Sequence, residues 1–526
     1  MKRQQNEYRY NLLLVNPGQD FMHYGTQLEM VRLLGKKIAY TSLALPIIAA
    51  LTPDYYHIRI IDECIEPIPD SFKPDIVGIS TYLASTKRAF EIARRYTGQN
   101  IPVVFGGPWV TYCHEEGLLH ATSVVIGEAE GLWEQCLRDF EAGGLKRIYS
   151  SETKPVFKSN VIPRWDLVDT SKIMSVGVQT RRGCPYMCEF CLVSQMFGRK
   201  VRYRDLDNVL EELRSLPIKN LIFVDDNFIT NKKYTFELLE RIKPMGFSWI
   251  CQASLDVALD EDLLKKMAEA GCRYIVLGFE SVNRESISET KKLQNTMIGY
   301  RDAIQRIHKY GIIAYGSFIV GFDHDTAEEF DNIYRFSLEA ELPYVMVSIL
   351  GVTPGTELFN RIHSAGRWVD KNKRYSGGMF PVLHYYHMSQ QEIFVKYIAT
   401  LEKLYSYRSI SERSVKMFSR GTFIRKSRAD SVSFKLKLRA SVIFIIEYLL
   451  STNADKRKFF IEIWKLVRGK KLCIDVAAPL LLAMLGYNIQ IRKLRAGMPR
   501  FLEAIAAVDK GPWKELTGNQ TNIVSG

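Results

Sequence analysis

Much of what would mark a familiar enzyme is missing from this chain. No Gly-x-Gly-x-x-Gly opens its first βα turn, which argues against a dinucleotide. No second Cys-x₂-Cys knuckle accompanies its cysteines, so the usual four-ligand zinc site is not spelled out. Its nine cysteines are an odd number without a disulfide-like pattern, as expected of a reducing compartment. No Ser–His–Asp set or carboxylate pair stands out as a hydrolytic apparatus. The start, Met1-Lys-Arg-Gln-Gln-Asn-Glu-Tyr8, has no apolar core, so no secretory signal is expected. Two apolar stretches, Ser441–Leu450 and Val476–Leu485, are each too short to span a bilayer unaided. With 526 residues, 47% hydrophobic and 25% charged, a soluble cytoplasmic enzyme of two or three domains is the expectation.

What is present centres on Cys184, Cys188 and Cys191, in Arg181-Arg-Gly-Cys-Pro-Tyr-Met-Cys-Glu-Phe-Cys191. Three thiolates at i, i+4 and i+7 can wrap a short loop around one cubane iron–sulfur cluster. Four-cysteine ligation closes a cluster for electron transfer, whereas three ligands leave one iron open to a small molecule. The alternatives are a zinc site or three unrelated thiols, and zinc would want a fourth N or S ligand.

The first 165 residues alternate short apolar runs with helical patterns. The runs are Asn11–Val15, His57–Asp62, Asp75–Thr81, Pro102–Gly106 and Ser123–Gly127, and Ser85–Arg95 is one intervening helix. That is the pattern of a doubly wound parallel α/β sheet. Ligands of such sheets bind beyond the carboxyl ends of the strands. Here those ends carry Asn16-Pro17-Gly18, Ser80-Thr81-Tyr82, Gly106-Gly107-Pro108 and Gly127-Glu128. Residues 170–385 alternate again, as a partial (β/α)₆ barrel with strands at Leu221–Phe228, Trp249–Ala253, Tyr274–Phe279, Ala314–Val320 and Val345–Leu350. Helices Asp260–Ala270 and Tyr300–Tyr310 lie between them. Polar residues gather at the strand ends: Asp225, Asp226, Asn227, Gln252, Ser254, Glu280, Ser281 and Asp323.

The cysteine loop resembles that of the radical S-adenosylmethionine (SAM) superfamily. The Gly-Gly-Pro loop and the Val-Ile-Gly-Glu-Ala-Glu130 strand end resemble the cobalamin-binding domain that precedes many such barrels. Phe197-Gly-Arg-Lys200, Val224-Asp-Asp-Asn-Phe-Ile-Thr-Asn-Lys232, Lys292-Leu-Gln-Asn295, Phe318-Ile-Val-Gly-Phe-Asp323 and Thr353-Pro-Gly-Thr356 resemble, more closely, the cobalamin-dependent group containing hopanoid C-2 methylases. The resemblance covers roughly residues 10–410. It implies a [4Fe-4S] cluster on the three cysteines and SAM at Phe190, Asp225, Asp226, Asn227, Gln252, Ser254, Glu280, Ser281 and Gly321. It implies cobalamin at Asn16, Pro17, Gly18, Ser80, Thr81, Tyr82, Gly106, Gly107, Pro108, Gly127 and Glu128. Cobalamin proteins that ligate cobalt through D-x-H-x-x-G have a histidine where this chain has Met22, between Asp20 and Gly25. His23 stands one residue late and is read as a loop residue, so cobalt is expected to carry no protein imidazole. The bland alternative is a degenerate domain that only packs against the barrel.

The formal charge of +13 is uneven. Residues 401–500 hold 22 Lys and Arg against 7 Asp and Glu, a local +15 that leaves −2 for the remainder. Residues 386–510 read as a helical basic region, opened by the capping box Ser389-x-x-Glu392, with 511–526 as a tail. Lys456–Lys458, Arg468–Lys471 and Arg492–Arg495 flank the apolar stretches, which fits either attachment to an anionic membrane or a packed helical subdomain. No nucleic-acid motif accompanies the charge.

The resemblance implies methyl transfer to an unactivated carbon of a hydrophobic or lipid-like substrate, with a reductase or flavodoxin-type electron donor. The rival is radical cyclisation, rearrangement or oxidation, with or without cobalamin. A tRNA methylthiotransferase would need three further N-terminal cysteines. Only Cys64, Cys113 and Cys136 are there, and none lies in the first βα loop.

Overall fold

A computed structural model describes residues 8–19, 28–155, 157, 161–369, 378–423 and 434–507. Two parallel six-stranded sheets form the body of the molecule. In the first, β1 (Tyr10–Asn16), β2 (Tyr56–Asp62), β3 (Ile76–Ser80), β4 (Val103–Gly106), β5 (Ser123–Val125) and β6 (Ile148–Tyr149) lie in the order β2-β1-β3-β4-β5-β6. The order reverses at β1, which pairs in register with both β2 and β3. β1 and β3 are buried on both faces, because helices cover each side, and so their sequences are continuous apolar runs rather than alternating ones. Two separate apolar clusters fill the two sides, one around Val77, Phe105 and Trp109, the other around Leu14, Trp133 and Tyr149.

The second sheet takes β7 (Val176–Val178) and β10 (Asn220–Phe223) to β14 in chain order, with β11 at Ser248–Ala253, β12 at Cys272–Glu280, β13 at Ile313–Val320 and β14 at Tyr344–Ile349. A small antiparallel pair, β8 (Arg181–Arg182) with β9 (Arg202–Tyr203), brackets the cysteine loop. β7 and β14 are the two edges, so this is an open barrel. Outward residues such as Trp249, Cys251 and Ala253 on β11 are buried under the helices. Alternate residues on the opposite face, including Ile222, Ile250, Gln252, Val276, Ile319 and Met346, remain partly open. Side chains alternate along a strand, so these residues line the inside of the barrel.

The sequence placed a strand over Leu221–Phe228, but β10 ends at Phe223. Asp225 and its neighbours belong to the loop beyond it, where Asn227 and Asp225 bond to other loops instead of to a ladder. β6 and β7, only two and three residues long, carry too little pattern to be seen in the sequence.

The C-terminal region is helical. Helix Gln390–Leu404 begins where the capping box puts it, with Ser389 Oγ accepting the backbone N–H of Glu392 at 3.0 Å. The stretch Val476–Leu485 is not a separate short segment. It is the buried start of one 33-residue helix, Ile474–Ala506, which carries Pro479 and Pro499 within it. By length and composition that helix could cross a membrane, but 61% of its most apolar window is buried inside the protein. Gly486 rests on Met30 of helix Leu28–Leu33, where a Cβ would come within 2.6 Å of the Met30 nitrogen. One residue on, the Tyr487 hydroxyl lies 2.8 Å from that of Tyr315 on β13. The helix thus closes the foot of the barrel and also grips the N-terminal region.

Candidate functional site

The three cysteines lie on the loop between β8 and helix Val193–Met196, each partly buried. Sγ of Cys184 accepts the backbone N–H of Tyr186, and Sγ of Cys191 accepts that of Val193. Gln294 Nε2 approaches Cys188 Sγ at 3.9 Å. Cys191 is within electrostatic reach of both other thiols. Burial pushes all three thiols up, Cys191 to about 11, while the Lys292 ammonium pulls Cys184 and Cys188 back toward the thiolate. Among the described residues no three His, Cys, Asp or Glu side chains come close enough to grip one metal ion. A cubane makes a different demand, since each thiolate binds a different corner iron. Three sulfurs on one loop, with N–H donors on them and no fourth cysteine beside them, fit a cluster with one open iron.

The loop is held from beneath by charge. Arg361 Nε meets Glu189 Oε1 at 2.7 Å, its Nη2 meets Glu289 Oε1 at 2.9 Å, and its Nη1 reaches Asp323. Arg367, 1% exposed, meets the other Asp323 oxygen at 2.8 Å. The backbone of Glu189 bonds to Thr290 and Leu358 on either side. These residues fix the segment between Cys188 and Cys191.

At the mouth of the barrel the acidic residues divide by role. Asp225 was expected to face a ligand. Instead it is 2% exposed, and its oxygens accept the backbone N–H groups of Thr180 (2.6 Å) and Arg181 (3.0 Å) and the Thr180 hydroxyl (2.6 Å). Burial pushes its carboxyl up and Arg181 opposes that shift. Asp226 points to the loop glycine, accepting the Gly183 N–H at 2.9 Å, and burial, with Asp225 nearby, pushes it up to about 6. Asn227 donates to Ser254 Oγ at 2.8 Å, so two expected residues are brought together. Gln252 is exposed on the inner face of β11. Ser281 is fully buried and its hydroxyl donates to Glu329 at 3.3 Å. Gly321 takes φ +119° and leaves room for the Tyr385 ring, which a Cβ would meet at 2.7 Å. Phe190 sits on Phe322 with ring centroids 6.3 Å apart.

Glu280 ends β12 in the left-handed region, φ +63°, where only a determining environment holds a glutamate. That environment is Lys292, whose Nζ lies 2.5 Å from Glu280 Oε1 and 2.7 Å from the Gly278 carbonyl. The pair lies over Gly278, since a Cβ there would fall 2.2 Å from the carboxylate. Lys292, Gln294 and Asn295 belong to the segment Lys292-Leu-Gln-Asn295, which the family resemblance marks without giving its residues roles. Nothing in their spacing announces that Lys292 pairs with Glu280 within electrostatic reach of Cys184 and Cys188.

The loops of the first sheet face the same side. Asn16 Nδ2 donates to Asp62 at 2.9 Å, and the Gly18 N–H to Glu63 at 3.0 Å, while Pro17 and Ser80 are buried. The buried Thr81 hydroxyl donates to the Gly106 carbonyl at 2.8 Å, and the Tyr82 hydroxyl lies 3.5 Å from Ser42. Gly107 adopts φ +105°, and a Cβ there would come within 2.8 Å of the Thr81 carbonyl, so the position needs glycine on both counts; Pro108 starts a short helix directly after it. At Gly106 and Gly127 a Cβ would meet nothing within 4 Å. The backbone there is bare and open, as a bulky planar ligand needs. Glu128 behaves differently: its carboxylate is fully buried, 2.7 Å from Arg182 and 2.5 Å from Arg202, and Glu130 meets Arg182 at 2.6 Å. It joins the first sheet to the cysteine loop. Asp20, Met22, His23 and Gly25 lie outside the described residues.

Residues 178–337 match the Radical SAM superfamily. The chain is 29% identical over 344 residues to bacteriochlorophyllide d C-12(1)-methyltransferase of Chlorobaculum tepidum, covering 63% of this chain and 75% of that one. It is 29% identical over 355 residues to the hopanoid C-2 methylase of Rhodopseudomonas palustris, covering 64% and 67%. Its fold matches OxsB, a cobalamin-dependent SAM radical enzyme solved with aqua-cobalamin bound, with a TM-score of 0.55 over 94% of this chain and 80% of that one, at 15% identity.

Proposed function

We propose that this chain, whose barrel is a radical SAM domain, transfers a methyl group to an unactivated carbon of a hydrophobic substrate. The observation that carries the reading is the facing of two half-sites. The three-cysteine loop at the barrel mouth and the bare Gly106 and Gly127 backbone of the first sheet are joined through Arg182 and Glu128. Similarity to bacteriochlorophyllide and hopanoid methylases supports the carbon target.

When bound, a [4Fe-4S] cluster supplies the electron that cleaves SAM, and cobalamin carries the methyl group to be transferred. The chain's own residues bind and orient. Cys184, Cys188 and Cys191 hold the cluster, with Gln294 and backbone N–H groups on their sulfurs. Asn227, Ser254, Gln252, Asp226, Glu280, Phe190 and the backbone at Gly321 are the groups left to hold SAM. The buried bonds of Asp225 and Ser281 give those two a supporting part. The first-sheet loops hold cobalamin, with Glu128 serving the junction and not the ligand. Ile222, Ile250, Val276, Ile319 and Met346 give the barrel an apolar interior that excludes water and suits an apolar substrate. Met187, exposed between two of the cysteines, offers an approach for a reductase or flavodoxin-type donor. We place the enzyme in the cytoplasm, in contact with the inner face of the membrane.

The test is anaerobic reconstitution with iron, sulfide, cobalamin, SAM and a reductant, offered lipid extracts of the source cell. The expected products per methylated substrate are one S-adenosylhomocysteine and one 5′-deoxyadenosine. Formation of 5′-deoxyadenosine with a product that gains no methyl group would assign the chain to cyclisation, rearrangement or oxidation.

A further inference from the structure

The helix Phe434–Phe444 runs on through a π turn, Ile445–Leu449, and returns along helix Ala454–Arg468 as a hairpin. Its inner face is well satisfied: Tyr448 is fully buried, its hydroxyl donates to the Leu481 carbonyl at 2.6 Å, and its ring stacks on Phe460. Its outer face is not. Leu438, Val442, Ile445, Ile446, Leu449 and Leu450 recur at helical spacing and are 45–72% exposed. A soluble surface scatters such residues singly, and a continuous stripe of six marks a binding face. Trp464 extends it, 41% exposed and stacked on Phe460 at 6.3 Å, which in turn lies against Phe444.

The charge around the stripe says what covers it. Residues 434–473 contain ten Lys and Arg against three Asp and Glu. Arg439, Lys458, Lys465, Arg468, Lys470 and Lys471 are exposed. The three acids are partly spent on internal pairs, Glu447 with Lys456 and Glu462 with Lys458 and Ser411. Aliphatic side chains bounded by cations, with a half-buried tryptophan among them, match the layered chemistry of a bilayer surface: acyl chains, the interfacial zone and anionic headgroups.

We infer that the hairpin 434–468 is a peripheral membrane anchor that seats this stripe in an anionic leaflet. This deepens the proposed function by giving the apolar substrate its source, but it rests on the exposed stripe and its charges alone.

Full-length protein should float with vesicles of phosphatidylcholine and phosphatidylglycerol, less at high salt and little with phosphatidylcholine alone. Each of Lys458, Lys465 and Arg468 changed to Gln should weaken partition roughly fivefold. Ile446→Asp should abolish flotation while leaving SAM cleavage in detergent-free buffer unchanged. Brominated acyl chains should quench fluorescence that Trp464→Phe removes. Equal flotation with neutral vesicles, or none with either, overturns the inference, as does a dimer in sedimentation that Ile446→Asp dissolves, which would give the face to a second copy. Failure of methyl transfer with flotation intact would strike the proposed reaction and leave the anchor standing.

Discussion

Arg182 Nη1 lies 2.7 Å from Glu128 Oε2, and with that one contact the last residue of β8 before the cysteine loop is fastened to the end of the first sheet. Both side chains are nearly sealed from water, at 8% and 0% exposure, and Arg202 and Glu130 complete the charge balance. A buried pair of this kind contributes little net stability while intact, but removing one partner strands the other. Glu128→Ala should therefore cost about 3–5 kcal/mol, read as a lower midpoint in urea unfolding. The double variant with Arg182→Ala should lose less than the sum of the single losses. Additive losses would show that the two side chains act independently.

Among the nine cysteines, iron content should depend on three. Cys188→Ala should remove the cluster's visible absorbance and SAM cleavage. Cys251→Ala, at a side chain buried beneath the barrel helices, and Cys64→Ala, in the first domain, should retain iron. Iron and sulfide assays after anaerobic reconstitution decide it, and full loading of the Cys188 variant would remove the ligand assignment.

Gly106→Val separates binding from folding. A Cβ there meets no protein atom within 4 Å, so the thermal midpoint should hold, while the added methyl groups should intrude on the face we assign to the corrinoid. Equilibrium dialysis should show about one cobalamin per chain in the parent and a much weaker isotherm in the variant. Unchanged binding would place the corrinoid elsewhere.

Stability should carry a pH signal from Asp325. Burial pushes its carboxyl up to about 7, although it accepts the Ser286 hydroxyl at 2.5 Å and the N–H groups of Gly321 and Phe322. With the folded value raised above the ordinary carboxylate range, the native state holds a proton that the unfolded chain has released. The contribution is complete below about pH 4 and disappears as pH rises through 7. Asp325→Asn should flatten the urea-midpoint profile across that window, and an equally steep profile in the variant would count against this origin.

At Gly355 the Tyr112 ring of the first domain lies on bare backbone, where a Cβ would meet ring carbons at 2.3 Å in a conformation of φ +94°. Gly355→Ala should destabilise by about 1–3 kcal/mol, with partial rescue by Tyr112→Ala, both measured by thermal unfolding.

Strands that are long and apolar could be read from the sequence because burial on both faces leaves no other residue types, as in Leu12–Val15 and Ile76–Ile79. The cysteine loop was legible because three thiols at i, i+4 and i+7 must share one short loop, which is where they lie. The division of labour among the acids was not. Asp225, Asp226 and Asn227 are adjacent in sequence, and only the turn after β10 decides that one faces Thr180, one Gly183 and one Ser254. The pairings of Glu128 with Arg182 and Glu189 with Arg361 join residues 54 and 172 positions apart, which no local pattern encodes. The long C-terminal helix was hidden for a different reason: its apolar stretch reads as ending at Leu485, whereas its backbone continues through basic residues to Ala506.

That helix also sets an order of assembly. Its Gly486 lies on Met30 and its Tyr487 meets Tyr315, so contacts of helix Leu28–Leu33 and of the barrel foot are completed only by chain synthesised after the whole barrel. During translation both domains must wait with those surfaces uncovered, and nascent chains halted before residue 474 should be the species that chaperones hold.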